Sequence, residues 1–182
     1  MTGAAITVDV TQPEPITLGK PLRSHGAAIH RLIEACAPLD LNSRYAYLLL
    51  CEHYADTCVT AQAGDDLVGF ISAYRPPARE DALFVWQVAV DASARGTGLA
   101  TTMLHALLAR SAVQGCAYLE TTISPSNVPS RRLFGALARE RCAPITETLL
   151  FAEADFGGED HECEMLIRIG PFVGRITEET SA

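Results

Sequence analysis

The chain has 182 residues, 48% of them hydrophobic and 20% charged, with a formal net charge of −8. That length predicts one domain with a true core, and the composition excludes a disordered chain. The negative balance argues against a nucleic-acid partner, whose phosphates need clustered Lys and Arg, and suits a cationic small substrate.

The opening stretch, MTGAAITVDVTQPEP, has neither the basic start nor the apolar core of a secretory signal, so residues 1–14 read as a loose tail. No apolar run in the chain approaches the ~20 residues of a membrane span. A first strand is expected over Ile16–Leu22. Ser24 then caps a helix to about Cys36 with Ile29, Leu32, Ile33 and Cys36 on one face. Pro38 breaks it. Asn42 or Ser43 starts a second helix through His53, carrying Tyr45, Leu48, Leu49 and Glu52. Cys58–Ala63 and Leu67–Tyr74 flank the turn Gly64-Asp65-Asp66 as a hairpin, ended by Arg75-Pro76-Pro77. Ala82–Val90 is the most apolar strand. It feeds Arg95-Gly96-Thr97-Gly98-Leu99-Ala100 and then a helix with Leu99, Met103, Leu104, Leu107 and Leu108 as its buried stripe, stopped at Gly115. Tyr118–Ile123 is a strand. Asn127 caps a helix through about Arg139, with Pro129 in its first turn. Thr146–Phe151 and Glu164–Ile169 are the last strands, joined by the acidic loop EADFGGEDHEC, and residues 171–182 form a tail. The order is that of a mixed α/β domain over 15–170. The cysteines (Cys36, Cys51, Cys58, Cys116, Cys142, Cys163) are irregularly spaced with no CxxC, which points to free thiols in a reducing cytoplasm and to no metal site.

The glycine turn is the sharpest signal. A strand, two glycines and a helix start present free backbone N–H groups to one point, which makes an anion site suited to a pyrophosphate. A P-loop needs Gly-Lys before Ser or Thr, and the single lysine is Lys20. A dinucleotide fold needs GxGxxG, but the second glycine here is followed by Leu-Ala-Thr-Thr. Strand, R-G-x-G-L-A and a leucine-rich helix instead resemble the coenzyme A-binding motif of the GNAT N-acetyltransferase superfamily. That resemblance implies a central, mostly antiparallel twisted sheet of six or seven strands flanked by helices, with a splayed strand pair holding acetyl-CoA. Arg95, Gly96, Thr97, Gly98, Leu99 and Ala100 would hold the pyrophosphate with help from the helix dipole, and the backbone of Val88, Ala89 and Val90 would pair with the pantetheine arm. The segment Asn127-Val128-Pro129-Ser130-Arg131-Arg132-Leu133-Phe134 resembles the superfamily's second cofactor segment. It places Asn127 near the thioester, offers Arg131 or Arg132 to a phosphate, and sets Phe134 where many members carry the tyrosine that protonates the leaving thiolate. Phenylalanine donates no proton. A thiol of pKa near ~8.5 is a fair leaving group without one.

Pro38-Leu39-Asp40-Leu41-Asn42-Ser43 with Tyr45, Ala55-Asp56-Thr57-Cys58-Val59, Val68-Gly69-Phe70, Tyr74-x-Pro-Pro and Leu83-Phe84-Val85-Trp86-Gln87-Val88-Ala89-Val90 resemble one subfamily, the L-2,4-diaminobutyrate acetyltransferases of ectoine biosynthesis. The resemblance covers about residues 15–170. It implies acetyl transfer from acetyl-CoA to the 4-amino group, a homodimer, and no metal. The reacting amine must be neutral. At a pKa near ~10, about one molecule in three hundred is neutral near pH 7.5, a cost of roughly 3.4 kcal/mol, so a proton acceptor helps. Glu120, mid-strand, is the first candidate base, and His161 in the acidic loop is a second. Asp40, Asn42, Tyr45 and Trp86 are candidates for binding the acceptor. Asn42, Ser43, Arg44 and Arg75 are the weak candidates for its carboxylate. Another amine acceptor, or a non-catalytic acyl-CoA sensor, remain the alternatives at this point.

Overall fold

The structure is a computed structural model that describes residues 15–157 and 161–172. The tail expected at 1–14, and all but two residues of the one at 171–182, lie outside the described residues. The strands are β1 (Ile16–Gly19), β2 (Val59–Ala63), β3 (Asp66–Tyr74), β4 (Ala82–Val90), β5 (Tyr118–Ile123), β6 (Ile145–Phe151) and β7 (Glu164–Ile169). They form one sheet in the order β1-β2-β3-β4-β5-β7-β6. Only β4 and β5 run parallel; every other neighbouring pair is antiparallel.

Successive strand residues point to opposite faces, so each central strand feeds two cores. On one face Ile71, Leu83, Val85 and Leu119 pack under α3 (Leu99–Leu108) and α4 (Val128–Glu140). On the other, Phe70 and Ala89 pack under α1 (Gly26–Glu34) and α2 (Arg44–His53), with Ile29, Ile33 and Tyr47 fully buried between them. The two faces explain why β4 reads as an apolar run interrupted only by Gln87.

The expected elements appear with local corrections. β1 stops at Gly19, short of Leu22, because the chain turns there into a 3-10 segment, Arg23–His25, and α1 begins at Gly26. Ser24 therefore sits inside that turn and caps nothing; the Leu22 N–H is taken by His25 Nδ1 at 3.2 Å instead. The stripe Ile29, Leu32, Ile33 and Cys36 is buried as read. Ser43 caps α2, its Oγ accepting the Ala46 N–H at 3.2 Å. α2 turns Tyr47, Leu50 and Cys51 inward and leaves Tyr45 and Leu48 exposed. Close approach of the two helices at Gly26 sets that rotation: a Cβ there would lie 2.7 Å from Leu48 Cδ2. The hairpin turn is two residues, not three, because Asp66 already pairs with Ala63. α3 ends at Leu108, which is only half-buried, and Gly115 follows a separate 3-10 turn.

Two irregularities in the middle of the sheet make the site. β4 and β5 pair only from Ala82–Val85 to Tyr118–Thr121, so from Trp86 onward the β5-facing edge of β4 has no strand partner. On the other edge Ser72 pairs with Gln87 and Ala73 with Val85, which leaves Trp86 as an extra, bulged residue. The bulge bends β4 away from β5 and turns the indole out, 40% exposed.

Candidate active site

The glycine turn has the backbone geometry that an anion cradle requires. Gly96 and Gly98 take φ of +77° and +83°, the left-handed region that favours glycine, and nothing lies within 4 Å of where a Cβ would stand on either. Gly98 is the N-cap of α3. Its carbonyl accepts the Thr102 N–H at 3.0 Å, which leaves the first-turn amides facing out of the helix start. From this turn the open edge of β4 runs Val90, Ala89, Val88 toward Trp86, about 13 Å at ~3.3 Å per residue. An open cradle, unspent amides and an unpaired strand edge in line fit a pyrophosphate carrying an amide-rich arm.

The structure uses the arginines of these segments differently from the sequence-based expectation. Arg95 folds back: its Nε donates to the Val90 carbonyl at 3.0 Å and its NH2 reaches Cys36 Sγ at 3.6 Å. Arg131 makes a two-bond ion pair with Glu147 of β6 at 2.8 and 3.1 Å, so its guanidinium is engaged away from the turn. Thr97 Oγ1 is spent on the Ala94 carbonyl at 2.8 Å. Phe134 is 3% exposed and faces the core from the inner side of α4. Leu99 is buried as the first knob of α3, and Ala100 is half-buried beside it.

At the mouth of the splay lies a cleft of about 450 Å³. Asp40 and Trp86 line it from the α1 side, Thr122 and Asn127 from β5 and the start of α4, and Phe151, Phe156, His161 and Glu164 from the far side. Four of the expected residues (Asp40, Trp86, Asn127 and His161) thus meet in one place. His161 stacks on Phe156, ring centroids 3.8 Å apart, and its Nε2 stands 3.6 Å from Asp40 Oδ2. Its Nδ1 faces the Glu162 carbonyl at 2.7 Å, and that contact, helped by Asp40, holds the imidazole pKa above its ordinary value. Glu162 in turn accepts the Ser126 N–H at 3.0 Å, which ties the loop to the turn before α4. Asn127 Oδ1 caps α4 through the Ser130 N–H at 3.1 Å.

Glu120 does not reach the cleft. It is fully buried one pleat below Thr122, where Arg79 bonds its Oε2 at 2.8 Å and Arg168 lies 3.2 Å from Oε1. Arg168 also covers the Tyr118 ring at 3.7 Å. A fully buried carboxylate that faces two guanidiniums and lies outside the cleft lining is placed as their counter-ion and not beside a substrate amine. Tyr45 points to solvent at 69% exposure, and Asn42 donates its backbone N–H to the Tyr47 hydroxyl at 3.1 Å. Ser43 is consumed as a cap, and Arg75 is held at the Glu80 carbonyl.

The group the sequence reading missed is Glu164. It lines the cleft at the start of β7, and burial pushes its carboxyl pKa up, with Asp40 and Glu162 adding to the effect and a Thr122 hydrogen bond and His161 opposing it. Its parity along β7 carried the signal: Glu164, Leu166 and Arg168 share a face, and Glu164 is the acidic residue on it nearest the loop. No lysine or arginine is among the described lining residues, so the walls carry three carboxylates, Asp40, Glu162 and Glu164, against one histidine.

A family model described as "Acetyltransferase (GNAT) family" matches residues 27–138. The chain belongs to that family. Among curated relatives, the L-2,4-diaminobutyric acid acetyltransferase of Bordetella parapertussis is 52% identical, covering 91% of each chain. That of Methylotuvimicrobium alcaliphilum is 49% identical over 90% of this chain and 95% of its own. Among solved structures, diaminobutyrate acetyltransferase EctA from Paenibacillus lautus superposes with a TM-score of 0.86 at 43% identity, covering 90% of this chain and 99% of that one. That enzyme was solved with L-2,4-diaminobutyric acid and coenzyme A. The expected fold class, a mostly antiparallel GNAT sheet of six or seven strands with a splayed pair, is the one found.

Proposed function

We propose that this protein transfers acetyl from acetyl-CoA to the 4-amino group of L-2,4-diaminobutyrate. The observation that carries the reading is the cleft at the open end of the β4–β5 splay: three carboxylates and one histidine, beside a strand edge leading from the glycine cradle. Such walls favour an acceptor with two ammonium groups, and His161, in its charged form, is the cation they offer to a carboxylate. The kinship with diaminobutyrate acetyltransferases over nine-tenths of the chain supports the same substrate.

In this reading Asp40 holds the α-ammonium, and the amine at C4 lies between Trp86 and Thr122. Glu164, whose raised pKa suits a proton acceptor better than a fully solvated carboxylate, takes the proton that the amine must lose, directly or through a water. Glu120 then serves the sheet, not the proton. The neutral amine attacks the thioester carbon, and the C–S bond breaks as the C–N bond forms. Phe134 offers no proton, so the thiolate leaves without a dedicated donor and is protonated from solvent. N4-acetyl-2,4-diaminobutyrate is the product, the compound cyclised in ectoine biosynthesis.

None of the described helices is long and apolar enough to cross a membrane. Cys36, Cys51, Cys58, Cys142 and Cys163 are free thiols, which supports a reducing cytoplasmic setting. A homodimer is part of the proposal, supported by β6: it is an edge strand exposed along its whole length, with Ile145 and Leu149 at 49% and 58% exposure.

The test is thiol-release kinetics with acetyl-CoA and a panel of 2,4-diaminobutyrate, ornithine, lysine, putrescine and an N-terminal peptide. A clear preference for 2,4-diaminobutyrate, with NMR placing the acetyl group on N4, is expected. Equal use of the panel overturns the substrate; tight acetyl-CoA binding without turnover of any amine overturns the enzyme.

A further inference from the structure

The two segments most specific to this chain's subfamily, Leu39-Asp40-Leu41-Asn42-Ser43 and Phe84-Val85-Trp86-Gln87-Val88-Ala89-Val90, lie 40 or more residues apart and are joined by a closed hydrogen-bond ring. Gln87, 4% exposed, donates from Nε2 to the Asp40 carbonyl at 2.7 Å. Its Oε1 accepts from the hydroxyl of Tyr47, which is 0% exposed, at 3.5 Å. That hydroxyl accepts the Asn42 N–H at 3.1 Å. The ring closes through the backbone of Leu41. Donors and acceptors match in one direction only: an amide nitrogen must face the carbonyl and an amide oxygen the hydroxyl. The Gln87 backbone is itself fixed, its N–H donating to buried Ser72 Oγ at 3.1 Å directly beside the Trp86 bulge.

Between the end of α1 and the Ser43 cap, the loop has no strand partner. Asp40's side chain is 81% exposed, and its partner is His161 across the cleft at 3.6 Å. Its place in the cleft wall therefore depends on its backbone being held, and the atoms that hold it come from Gln87 and, through Asn42, from Tyr47. We infer that Gln87 and Tyr47 are positioning residues that dock the Asp40 loop against β4 and so fix the acceptor site's length and its selectivity among diamino acids. The inference rests on the function proposed above. The loop is referenced to the same strand that carries Trp86 and the pantetheine edge, so the acceptor carboxylate end and the reacting end are gauged from one element.

The sharpest variant is Gln87→Glu, the same shape with the donor replaced by an acceptor, which turns the attraction to the Asp40 carbonyl into repulsion. Gln87→Met keeps the volume and drops both bonds. Tyr47→Phe keeps the ring in the core and removes only the hydroxyl, which secures the test if a Gln87 variant folds poorly. Steady-state kinetics with acetyl-CoA, diaminobutyrate and the one-carbon-longer ornithine would be measured for each. The expected result is a diaminobutyrate KM raised about tenfold or more in Gln87→Glu and less in the other two, an acetyl-CoA KM within twofold of the parent, and a diaminobutyrate-to-ornithine kcat/KM ratio that falls. Acceptor and cofactor KM rising together, or Tm falling with both KM values unmoved, would overturn the inference. A parent enzyme without preference for diaminobutyrate would refute the proposed function instead. The loop contact is then read independently by NMR titration of His161, flanked by Asp40, Glu162 and Glu164. Its midpoint should drop in Gln87→Met, which adds no charge of its own, as Asp40 leaves, and an unchanged midpoint refutes the positioning role.

Discussion

Replacing Gly98 with valine tests where the pyrophosphate lies, and Gly115 supplies the matched control. Both glycines hold nearly the same backbone angle, φ +83° and +85°, and neither would bring a Cβ within 4 Å of another atom. Any side chain in that conformation costs about 1–2 kcal/mol by its clash with the following carbonyl, and a β-branched one sits at the upper end. For a domain of this size each kcal/mol lowers Tm by roughly 2–4 °C, so each variant should melt about 2–8 °C below the parent, and by similar amounts. What differs is function. Gly98 aims the first amides of α3, and a charge-assisted hydrogen bond is worth roughly 1.5–3 kcal/mol, so misdirecting even one should raise the acetyl-CoA KM about tenfold or more. Gly115 caps a surface turn before β5 and should leave that KM alone. The assays are thermal melting and initial-rate kinetics with acetyl-CoA varied at saturating amine. Equal Tm losses with equal, unchanged KM values would show that the turn is merely a tight corner, and the cofactor placement would fall with it.

Glu164→Gln should lower kcat about a hundredfold at neutral pH with acetyl-CoA KM little changed. Because burial raises the Glu164 pKa, parent activity should fade as pH drops through that raised value, and the acid limb should vanish in the variant. The same shift means that ionised Glu164 opposes folding: the stability it permits below its unfolded pKa is lost as pH rises through the folded one. The variant should therefore match or exceed the parent Tm at pH 8, and a clear drop would contradict the assignment. Glu120→Gln should do the reverse. Removing the charge between Arg79 and Arg168 should cost about 3 kcal/mol, the low end for a broken buried pair because each arginine keeps about a third of its side chain in water, while the pH–rate profile stays in place. His161→Gln should raise the diaminobutyrate KM below the raised imidazole pKa and converge on the parent above it, where the parent's imidazole is neutral; a pH-independent gap would rule out a charge role. Leu149→Glu on β6 should shift the protein to monomer in light scattering, and an unaltered mass would move the interface elsewhere.

The glycine turn and open strand edge proposed to hold the cofactor were legible because they are local. One strand, one turn and one helix start, all within Val85–Arg110, determine the cradle, and glycine's role there follows from φ at two positions. Element boundaries in β5, α4 and β7 were equally local, set by a cap at Asn127, a proline at Pro129 and alternating residues. The acceptor half is assembled from loops separated by more than a hundred residues, and the charges there could not be paired on paper. Glu120 looked like a base because its partners, Arg79 and Arg168, come from another loop and another strand, and nothing near it in sequence announces two guanidiniums. Arg95 and Arg131 looked like phosphate ligands for the same reason, their partners Val90 and Glu147 being visible only in three dimensions.

Trp86 lies at the mouth of the cleft for a reason local to β4. A parallel pair such as β4–β5 would ordinarily stay zipped along its length. Here the bulge at Trp86 adds a residue to β4 at the point where pairing with β5 ends, so one local irregularity both opens the sheet and rotates the indole into the gap. Gln87 follows immediately and, by clasping the Asp40 loop, fills the space on the α1 side of the opening. Bulge, indole and amide are consecutive in the chain, so the width of the opening and the position of its acceptor wall change together. A one-residue deletion at Trp86 should therefore close the bulge, extend the β4–β5 ladder past Val85, and abolish acetyl transfer while preserving the two cores. Amide exchange would read it directly, as new protection in β5 beyond Thr121. Retained activity without that protection would show that the bulge does not open the sheet.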